Sequence, residues 1–517
     1  MTATMNKQDT IIRHDVVMQP DGRRVVIKLF VPGEDSHTVK NRAGRLIERI
    51  MQLDEDEISR MLDDVLTRFG GRHHDLLGTF QHHYDLVQHR VPPEIELSPT
   101  ARTLIGAYFS HEFAIEAAAL CNPSMVVHPD QAGLEPGELR VAISLRQIGE
   151  GHISSIGFCS AVLGPGDQLR MEDRDGPLTV GQRVDATHWK NQLAAALIDA
   201  EIDNEASSYV ISVLPERFTD VEFEDVISHV PGELLARPHA QETIDRIRHV
   251  VSEDYALQFP CAVPLHQRVM WPATPAESNG MEDARFVRVT DPDGRHVYQA
   301  TYTAYDGRQI SGRVIFTRDL RHFEVTRMSG PAARNKGVAL FPRYINGQKM
   351  ALCRNDGETL GLAVRDEQHR WQLSAPLLMP HRGWDLIQVG NCGSPIETEA
   401  GWLVLTHGVG PMRRYAIGAM LLDLEDPSKV LADLPEGLLD PDDVEREGYV
   451  PNVLYSCGGL VHDGRFWMPY GASDVRIGFA SMPLDALLAR MVPTGRKVTG
   501  RRAPAGRSAP GSSASAS

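Results

Sequence analysis

Two similar stretches in the second half of the chain decide the fold: Thr317-Arg-Asp-Leu-Arg-His-Phe323 and Val364-Arg-Asp-Glu-Gln-His-Arg-Trp371. In each of them a run of strand-forming residues ends in Arg-Asp, and an aromatic side chain follows a few residues later. Asp319 and Asp366 are 47 residues apart, close to the period of about 40 to 50 residues that a four-stranded propeller blade needs. Two unrelated strand-and-turn pairs would look the same locally, but the period favours a β-propeller.

The sequence around this repeat is typical of β-structure from Asn122 to about residue 492. Short runs of β-branched and aromatic residues alternate with turn residues throughout. Helical periodicity interrupts these runs near residues 188–251, where we expect a helical insertion.

The first 120 residues follow a different pattern. Asp21-Gly22 separates two short apolar runs, which predicts a β-hairpin. Apolar residues spaced three and four apart then predict about four helices. Ser98-Pro99 has the chemistry of an N-cap and a first helical position, and we expect the helix that it begins to continue to about Leu120.

These patterns predict a mainly β protein, a β-propeller preceded by an α-helical N-terminal region. We expect the helical region and its strand pair over residues 1–120, the propeller over 121–492, and the insertion near 188–251. Residues 493–517 are mostly Gly, Pro, Ser, Ala and Arg, and we expect them to form a disordered tail.

Composition excludes several classes of protein. The 517 residues include 53 basic and 69 acidic side chains, a formal net charge of −16, whereas nucleic-acid-binding proteins usually carry a basic excess. We find neither an apolar run long enough to span a membrane nor the apolar core of a secretion signal. The six cysteines are spaced too widely for a disulfide framework or a zinc ribbon. We therefore expect a cytoplasmic protein without a membrane or nucleic-acid partner.

A cluster of histidines, His73, His74, His82 and His83, could suggest a metal site. Its spacing matches no familiar pattern of metal ligands, and no cysteine is near. We expect these side chains to lie on a solvated or packed helix face, and we expect no metal.

The stretch Gly280-Met-Glu-Asp-Ala-Arg285 leads into a strand with two adjacent carboxylates. The two-residue period of a strand would place Asp283 and Arg285 on one face and Glu282 on the other. An acid held near an arginine should stay ionised. Taken alone, the motif is more typical of a salt bridge in a turn than of a catalytic acid.

The next strand carries Thr301-Tyr-Thr-Ala-Tyr-Asp306, whose aromatic faces, hydroxyls and terminal acid suit a sugar. Further polar clusters recur at blade-like intervals, which predicts one polar funnel where the loops of all blades converge. Their candidate residues are Arg146, Glu150, Asn335, Lys336, Arg354, Asp356, Glu358, Asp385, His407 and Asp474.

With these motifs the chain resembles glycoside hydrolase family 130, a family of β-mannoside phosphorylases and β-mannosidases. The resemblance rests on Gly280-Met-Glu-Asp-Ala-Arg285, Thr301-Tyr-Thr-Ala-Tyr-Asp306, Asn335-Lys336 with Leu340-Phe-Pro342, Trp384, Gly393-Ser-Pro-Ile396, His407-Gly-Val409, Val450-Pro-Asn-Val453 and Tyr470-Gly-Ala-Ser-Asp474. It covers about residues 120–490, and the helical N-terminal region is similar to that of longer family members.

The resemblance implies a five-bladed β-propeller with its site at the axis, and an inverting reaction on a terminal β-mannosyl unit. It implies that Asp283 is the general acid and acts through a hydroxyl of the mannosyl ring. In a phosphorylase, phosphate is the nucleophile and needs a cradle of cations. A hydrolase needs a second carboxylate about 6.5–9.5 Å from the acid.

We expect the sugar to be bound by Arg146, Glu282, Arg285, Tyr305, Asp306, Asn335, Lys336, Asp385 and Asp474. We expect phosphate to be bound by Arg308, Arg354, His407 and Arg413. The acids that could serve a hydrolase as base are Glu150, Asp356, Glu358 and Asp385. Many phosphorylases of the family carry lysine in the stretch after Trp384, where this chain has Gln388, and Ala284 stands where proline is common.

We therefore predict inverting phosphorolysis of terminal β-mannosyl linkages in manno-oligosaccharides, which gives α-mannose 1-phosphate. Inorganic phosphate would be the co-substrate, and no cofactor is expected. An inverting β-mannosidase on the same scaffold is the alternative. A non-catalytic carbohydrate-binding propeller is a third reading, against which the intact Glu282-Asp283-Arg285 motif counts. Added helical segments often form assembly surfaces, so a homo-oligomer is among the expected partners.

Overall fold

The protein is described by a computed structural model, which covers residues 11–33, 42–354 and 356–494. The predicted disordered tail lies outside these residues, except for its first two positions. Within the described ranges no helix combines the length and the apolar character needed to cross a membrane.

The N-terminal region combines short strands with four α-helices in its described part. Its elements are β1 (Ile12–Arg13), β2 (Val25–Leu29), α1 (Arg42–Met51), α2 (Glu55–Phe69), α3 (Leu76–Val87), α4 (Pro99–Tyr108) and β3 (Ser110–Ala114). Asp54, Asp75 and Ser98 cap the last three helices, because each side chain accepts a backbone N–H of the first turn. The apolar faces of the helices meet in a common core that includes Ile47 and Phe109.

A first antiparallel sheet follows. It consists of β4 (Ala119–Val127), β5 (Leu139–Ile148), β6 (Ser154–Leu163) and β7 (Leu169–Met171), and β8 (Thr179–Val180) and β9 (Gln182–Val184) come after it. These strands lead into the helical insertion, near the predicted position.

The insertion consists of β10 (Thr187–Trp189), α5 (Lys190–Asp199), α6 (Glu205–Val213), β11 (Arg217–Thr219), α7 (Asp220–Ser228), α8 (Gly232–Leu235) and α9 (Ala240–Ser252). It has an apolar core of its own, in which Val210, Phe218 and Ile247 are almost fully buried. β12 (Tyr255–Gln258) and β13 (Arg268–Met270) then return the chain to the sheets.

Three more antiparallel sheets follow in chain order. The second sheet is β14 (Gly280–Thr290), β15 (His296–Tyr305), β16 (Ile310–Thr317) and β17 (His322–Arg327). It is continuous with the first sheet through one parallel pair, Gly280 of β14 opposite Ser154 of β6. The third is β18 (Ala339–Leu340), β19 (Met350–Cys353), β20 (Leu360–Arg365) and β21 (Trp371–Leu378). The fourth is β22 (Gln388–Asn391), β23 (Ile396–Thr398), β24 (Gly401–Val409), β25 (Tyr415–Leu422) and β26 (Val430–Asp433).

The fifth sheet joins the two ends of the described chain. It contains β27 (Leu454–Tyr455), β28 (Leu460–His462), β29 (Arg465–Ala472) and β30 (Arg476–Pro483), and α10 (Leu484–Ala489) and β31 (Val492–Pro493) follow. β1 pairs with β30, with Ile12 opposite Ser481. The N-terminal segment therefore completes the sheet that the C-terminal strands begin.

The internal repeat occupies equivalent places in the second and third sheets. Asp319 lies between the third and fourth strands of its sheet, and Asp366 lies between the third and fourth strands of the next. Asp319 accepts the backbone N–H of Arg321 at 2.9 Å, and Asp366 accepts that of Arg370 at 2.8 Å. The 47-residue spacing is thus the spacing between two like β-hairpins.

The fifth sheet also contacts the first. The Cys457 N–H donates to the Pro123 carbonyl at 2.8 Å, and Ser124 forms a parallel bridge with Gly458. A cavity of about 710 Å³ lies at one end of the inner strands. All five sheets or the loops between their strands contribute to its wall, with Val127, Thr290, Arg343, Pro395 and Leu460 among the lining residues.

Two predictions for the N-terminal region are wrong. The runs on either side of Asp21-Gly22 do not form a hairpin, because β1 pairs with β30 and β2 pairs with β3. The helix that begins after Ser98 ends at Tyr108, well before Leu120. Residues 110–114 form a strand instead, since pairing with β2 satisfies their backbone groups.

Candidate active site

Two β-bulges bring the first and second sheets together at the candidate site. The pairing of β4 shifts between Cys121 and Ser124, and that of β14 shifts between Glu282 and Arg285. Asn122 (φ 48°) and Asp283 (φ 59°) both adopt the left-handed backbone conformation inside these bulges, which costs energy for residues other than glycine. The Asn122 side-chain amide donates to Asp283 Oδ1 at 2.5 Å. The two bulges therefore point two strained residues at each other.

Arg146, near the end of β5, binds both acids of the Glu-Asp pair. Its Nη2 donates to Glu282 Oε1 at 2.7 Å, and its Nη1 donates to Asp283 Oδ1 at 3.2 Å. The prediction that Glu282 and Asp283 lie on opposite faces is wrong, because the bulge breaks the two-residue alternation of β14. Their carboxyl groups share one guanidinium.

Lys336 contacts the other side of Glu282. Its ammonium group lies 2.5 Å from Glu282 Oε2 and 5.8 Å from the centre of the Tyr305 ring. The Asn335 side chain accepts the Lys336 backbone N–H at 2.7 Å, which fixes the direction of the loop. Arg146, Glu282 and Lys336 thus form a charged cluster beside Asp283, and Tyr305 lies near its lysine.

Arg285 lies beneath this cluster and is 1% exposed. It donates to the Cys392 carbonyl at 2.9 Å, to the Asp283 carbonyl at 2.8 Å and to the Tyr455 hydroxyl at 2.8 Å. Because these bonds engage all three nitrogens of its guanidinium, Arg285 supports the backbone of Asp283 from below.

The two aspartates of the site have opposite pKa shifts. Burial alone would raise the pKa of Asp283, but Arg146, Arg285 and the Asn122 amide hold it down at about 2. Burial raises the pKa of Asp474 to about 6, against the attraction of Arg146 and with the repulsion of Asp283. Asp283 is therefore ionised at neutral pH, as expected for an acid beside arginines, and Asp474 binds a proton more readily.

Arg354 and His407 form a second part of the site, on either side of Gly390. A Cβ at Gly390 would lie 2.6 Å from both Arg354 Cδ and His407 Cε1, so only glycine allows this approach. The His407 ring is fully buried, and its centre lies 4.9 Å from that of Tyr455. Burial and the charges of Arg354 and Arg285 lower the pKa of His407 well below its usual value. The imidazole is therefore neutral near pH 7.

Gln388 is a polar neighbour of this histidine on the same sheet. Its side-chain amide lies 3.3 Å from His407 Nε2. The Arg354 Nε donates weakly to the Lys336 carbonyl at 3.4 Å, and none of the described carboxylates forms an ion pair with this guanidinium. Arg354 is thus a cation without an acidic partner among the described residues.

Several predicted site residues have other contacts. Asp306 caps its own turn through the backbone N–H groups of Arg308 and Gln309, and Arg308 is exposed there. Asp385 is fully buried and accepts two backbone N–H groups of the preceding turn. Arg413 is exposed, 6.0 Å from the Tyr415 ring.

The candidate bases of a hydrolase have contacts or exposure of their own. Asp356 accepts the backbone N–H groups of Glu358 and Thr359. Glu150 and Glu358 are exposed on turns. In the described chain, Glu282 and Asp474 are the carboxylates linked to Asp283 through Arg146.

Sequence reasoning missed Asn122 and Tyr455 as site residues. Asparagine tolerates the left-handed conformation better than most residues, which was the available signal at Asn122. Tyr455 follows the Val450-Pro-Asn-Val453 motif by two positions. Neither position could be linked to Asp283 without the contacts between sheets.

Of the four clustered histidines, only His82 and His83 lie on a helix, α3, whereas His73 and His74 lie in the turn before it, so the prediction of a helix face is wrong for those two. His73 lies 2.9 Å from Glu112, His74 lies 2.8 Å from Gln267, and His83 lies 2.7 Å from the Ser110 hydroxyl. Burial lowers the pKa of His83 to about 4. Among the described residues, no group of three or more histidine, cysteine or acidic side chains is arranged to hold a metal ion.

Comparison with known proteins identifies the family. The profile of glycoside hydrolase family 130, described as beta-1,4-mannooligosaccharide phosphorylase, matches residues 259–492. A 1,2-beta-oligomannan phosphorylase of Thermoanaerobacter sp. (strain X514) is 35% identical over 253 residues, which are 48% of this chain and 82% of the relative. The chain belongs to glycoside hydrolase family 130. The resemblance seen in the sequence is confirmed, and the family 130 chain is an enzyme.

Two further similarities concern β-1,2-mannobiose phosphorylases. One from the same Thermoanaerobacter strain is 33% identical over 211 residues, 40% of the family 130 chain and 68% of the relative. The solved structure of the Listeria innocua protein in complex with β-1,2-mannobiose is 19% identical, with a TM-score of 0.41. That alignment covers 73% of this chain and 92% of the other.

Proposed function

We propose that the protein catalyses inverting phosphorolysis of terminal β-mannosyl linkages in manno-oligosaccharides and releases α-mannose 1-phosphate. One observation carries this proposal: Arg354, without an acidic partner among the described residues, lies beside the neutral, buried His407. Tyr455 links this pair to Arg285, and Arg285 supports Asp283. A guanidinium with unused donors next to an acid is suited to a phosphate nucleophile.

The relatives support the same reaction. Each of the two relatives that are at least 33% identical is named a phosphorylase of β-1,2-linked mannosides. We therefore propose β-1,2-linked oligomannosides as the substrate class and inorganic phosphate as the co-substrate. Among the candidate bases of the alternative hydrolase, Asp356 and one oxygen of Asp385 accept backbone N–H groups of turns, and Glu150 and Glu358 are exposed.

Asp283 is the proposed general acid, and its proton must arrive with the substrates. In the free protein Arg146 and Arg285 hold its pKa at about 2. Phosphate beside it adds negative charge, and a mannosyl ring above it removes water, and both effects raise the pKa of a carboxyl group. The proton would pass through a hydroxyl of the mannosyl ring to the leaving oxygen as a phosphate oxygen attacks C1. The products would be α-mannose 1-phosphate and the shortened acceptor.

The sugar-binding role is proposed for Arg146, Glu282, Tyr305, Asn335, Lys336 and Asp474. Arg285 would position Asp283 rather than touch the sugar. Asp306 and Asp385 would stabilise their turns, and Arg308 and Arg413 would take part only if their exposed side chains reached the phosphate.

We also propose that the five sheets are the blades of a five-bladed β-propeller over residues 121–492. The cavity lined by all five sheets and the contact between the first and fifth sheets support a closed ring. The helical region over 1–120 and the insertion near 188–251 would be additions to it. Six free cysteines, five of them buried, suit the cytoplasm, where phosphate is abundant.

The test is an assay of β-1,2-mannobiose with and without inorganic phosphate. We expect α-mannose 1-phosphate only when phosphate is present, and no mannose release without it. Mannose release at a rate independent of phosphate would show a hydrolase and refute the proposal. Arg354→Met should raise the KM for phosphate much more than the KM for mannobiose. The matched variant Arg370→Met, which changes an arginine paired with Asp199 outside the site, should leave both KM values unchanged.

A further inference from the structure

A second polar cavity lies away from the active site, where the helical insertion meets the second and third sheets. Its volume is about 630 Å³. Trp189 and Gln192 reach it from the insertion, Gln299 and Phe316 from the second sheet, and Lys349 and Arg365 from the third. We refer to these six residues as the Lys349 pocket. We refer to Asn122, Arg146, Glu282, Asp283, Arg285 and Lys336 as the Asp283 cluster. In the described chain, no residue of the Lys349 pocket hydrogen-bonds to it.

Lys349 is a cation without an acidic partner. Its ammonium group donates to the Gln299 side-chain carbonyl at 2.9 Å and lies 5.7 Å from the centre of the Phe316 ring. Burial and the neighbouring Arg365 lower the pKa of Lys349 to about 7. Among the described carboxylates, none forms an ion pair with Lys349.

Arg365 also lacks an ion-pair partner among the described acids. Its Nε donates to the His369 carbonyl at 3.3 Å. Two carboxylates do line the cavity, Asp319 and Glu324. Asp319 is held in its own turn by the backbone N–H groups of Arg321 and His322. In the described chain neither Glu324 nor Asp366, the acid that follows Arg365 in sequence, forms an ion pair with Lys349 or Arg365.

A third polar group in the pocket also lacks a partner. The side-chain oxygen of Gln192 is buried and makes no hydrogen bond to the described protein. Because the two ends of an amide can exchange places, Gln192 can offer either a donor or an acceptor to a ligand. Trp189 adds a ring surface, one face of which Arg217 covers at 4.0 Å.

Buried cations without an anion are costly, and an anion that binds between them removes that cost. We propose that the Lys349 pocket binds a phosphoryl group, either as inorganic phosphate or carried on a small sugar phosphate. Lys349 and Arg365 would bind the phosphoryl oxygens, and Gln192 would donate to one of them. Trp189 and Phe316 would pack against the sugar where one is present.

The experiment measures phosphate binding by calorimetry in the Arg354→Met background, so that loss of the proposed catalytic site cannot be confused with loss of this one. We expect Arg354→Met to retain one phosphate site per chain. Adding Lys349→Met should weaken this site about tenfold or more, a change of at least about 1.4 kcal/mol. The matched control, Lys429→Met, removes an exposed lysine that pairs with Asp426, and should leave binding unchanged.

Two further measurements separate binding from folding and identify the ligand. In buffer without phosphate, Lys349→Met should melt no lower than its parent, because it removes an uncompensated buried charge, and Lys349→Arg should retain phosphate binding. Glucose 6-phosphate should bind more tightly than phosphate, and lose that gain in Trp189→Ala, if the phosphoryl group arrives on a sugar. Equal affinities would assign the pocket to free phosphate. The proposal is overturned if the Arg354→Met protein binds no phosphate, if Lys349→Met and Lys429→Met behave alike, or if Lys349→Arg also abolishes binding.

Discussion

Asp283 and Glu116 are both buried acids beside arginines, and adjacent residues of one strand contact them. Arg146 of β5 binds Asp283, and the next residue, Gln147, donates to Glu116 at 2.8 Å. Successive side chains of a strand point to opposite faces, so β5 has one acid cluster on each face. The two clusters are alike in residue types.

They differ in how completely their charges are satisfied. Glu116 is 1% exposed and forms an ion pair with Arg24 at 3.0 Å. It accepts hydrogen bonds from the Arg174 guanidinium at 2.6 Å and from the Asp21 backbone N–H at 3.1 Å. The segment before β2 is thereby tied to the first sheet. The Glu116 cluster is closed, and its role is structural.

The Asp283 cluster keeps unsatisfied groups and strain. Asp283 has a positive φ, the pKa of Asp474 is raised to about 6, and Arg354 nearby has no described acidic partner. Strain and unpaired charge persist only where the surrounding fold supports them, and they concentrate at functional sites. A buried acid beside two arginines therefore indicates a catalytic or binding site only when neighbouring groups still lack hydrogen-bond or ion-pair partners.

The largest effect should come from Asp283→Asn. We expect turnover of β-1,2-mannobiose with phosphate to fall by about 10²–10⁴-fold, because a positioned general acid contributes about that much. The free energy of unfolding should fall by no more than about 2 to 3 kcal/mol, which corresponds to a pKa lowered from its usual value to about 2. Steady-state kinetics and urea unfolding measure the two effects. Asp366→Asn, in a turn outside the site, is the control, and near-wild-type turnover by Asp283→Asn would contradict the assignment.

For Glu116→Ala we expect the opposite result, a loss of stability without a loss of turnover. The buried Arg24 and the half-buried Arg174 would lose their anion, and breaking a buried ion pair typically costs about 3–5 kcal/mol of the free energy of unfolding. Turnover per folded molecule should stay near that of the wild type. Urea unfolding checks the first effect, with Glu224→Ala as the control, since that exposed acid pairs with Arg248 at the surface and should cost about 1 kcal/mol or less. Loss of turnover without loss of stability would show that the Glu116 cluster is functional after all.

Asp474→Asn should stabilise the free enzyme, in a pH-dependent way. The folded-state pKa of Asp474 is raised to about 6, so its ionisation opposes folding, and wild-type stability is lost as the pH rises from about 4 to 6. The variant should gain about 1–3 kcal/mol at pH 7.5 and nothing below pH 4, by the same linkage. Unfolding measured across this pH range checks the window, and a gain that is equal at all pH values would refute the shifted pKa as its cause.

Much of the second half of the chain could be predicted from local sequence. The strands repeat with turn residues between them, and Asp319 and Asp366 mark like hairpins 47 residues apart. The Glu282-Asp283-Arg285 motif indicated the candidate acid because its residues are close together in sequence. The predicted alternation of side chains between the two faces of the strand was wrong at that motif. It assumes a regular strand, and β14 has a bulge there.

The remaining failures involve pairing between distant segments. Asp21-Gly22 is a good hairpin turn, but Ile12 pairs with Ser481 and Val26 pairs with Phe113. Local turn chemistry cannot reveal a partner at the other end of the chain. Asp306 and Asp385 stay predicted sugar ligands, and one oxygen of each also accepts backbone N–H groups of a tight turn.

The smallest expected effect is that of Gln388→Lys. This variant also gives the most sensitive test of the difference between the two clusters. Its amide lies 3.3 Å from His407 Nε2, where a lysine would add a cation beside Arg354. If the site is incomplete without an anion, Gln388→Lys should lower the KM for phosphate by about two- to tenfold, up to about 1.4 kcal/mol. It should also melt lower than the wild type without phosphate, since the added charge repels Arg354, and recover when phosphate is added. Gln388→Met, uncharged and similar in length, controls for loss of the amide. Phosphate titrations of both variants decide the outcome: equal KM values for Lys and Met at position 388 would mean that the anion lies elsewhere, and that Arg354 and His407 form a closed cluster like that of Glu116.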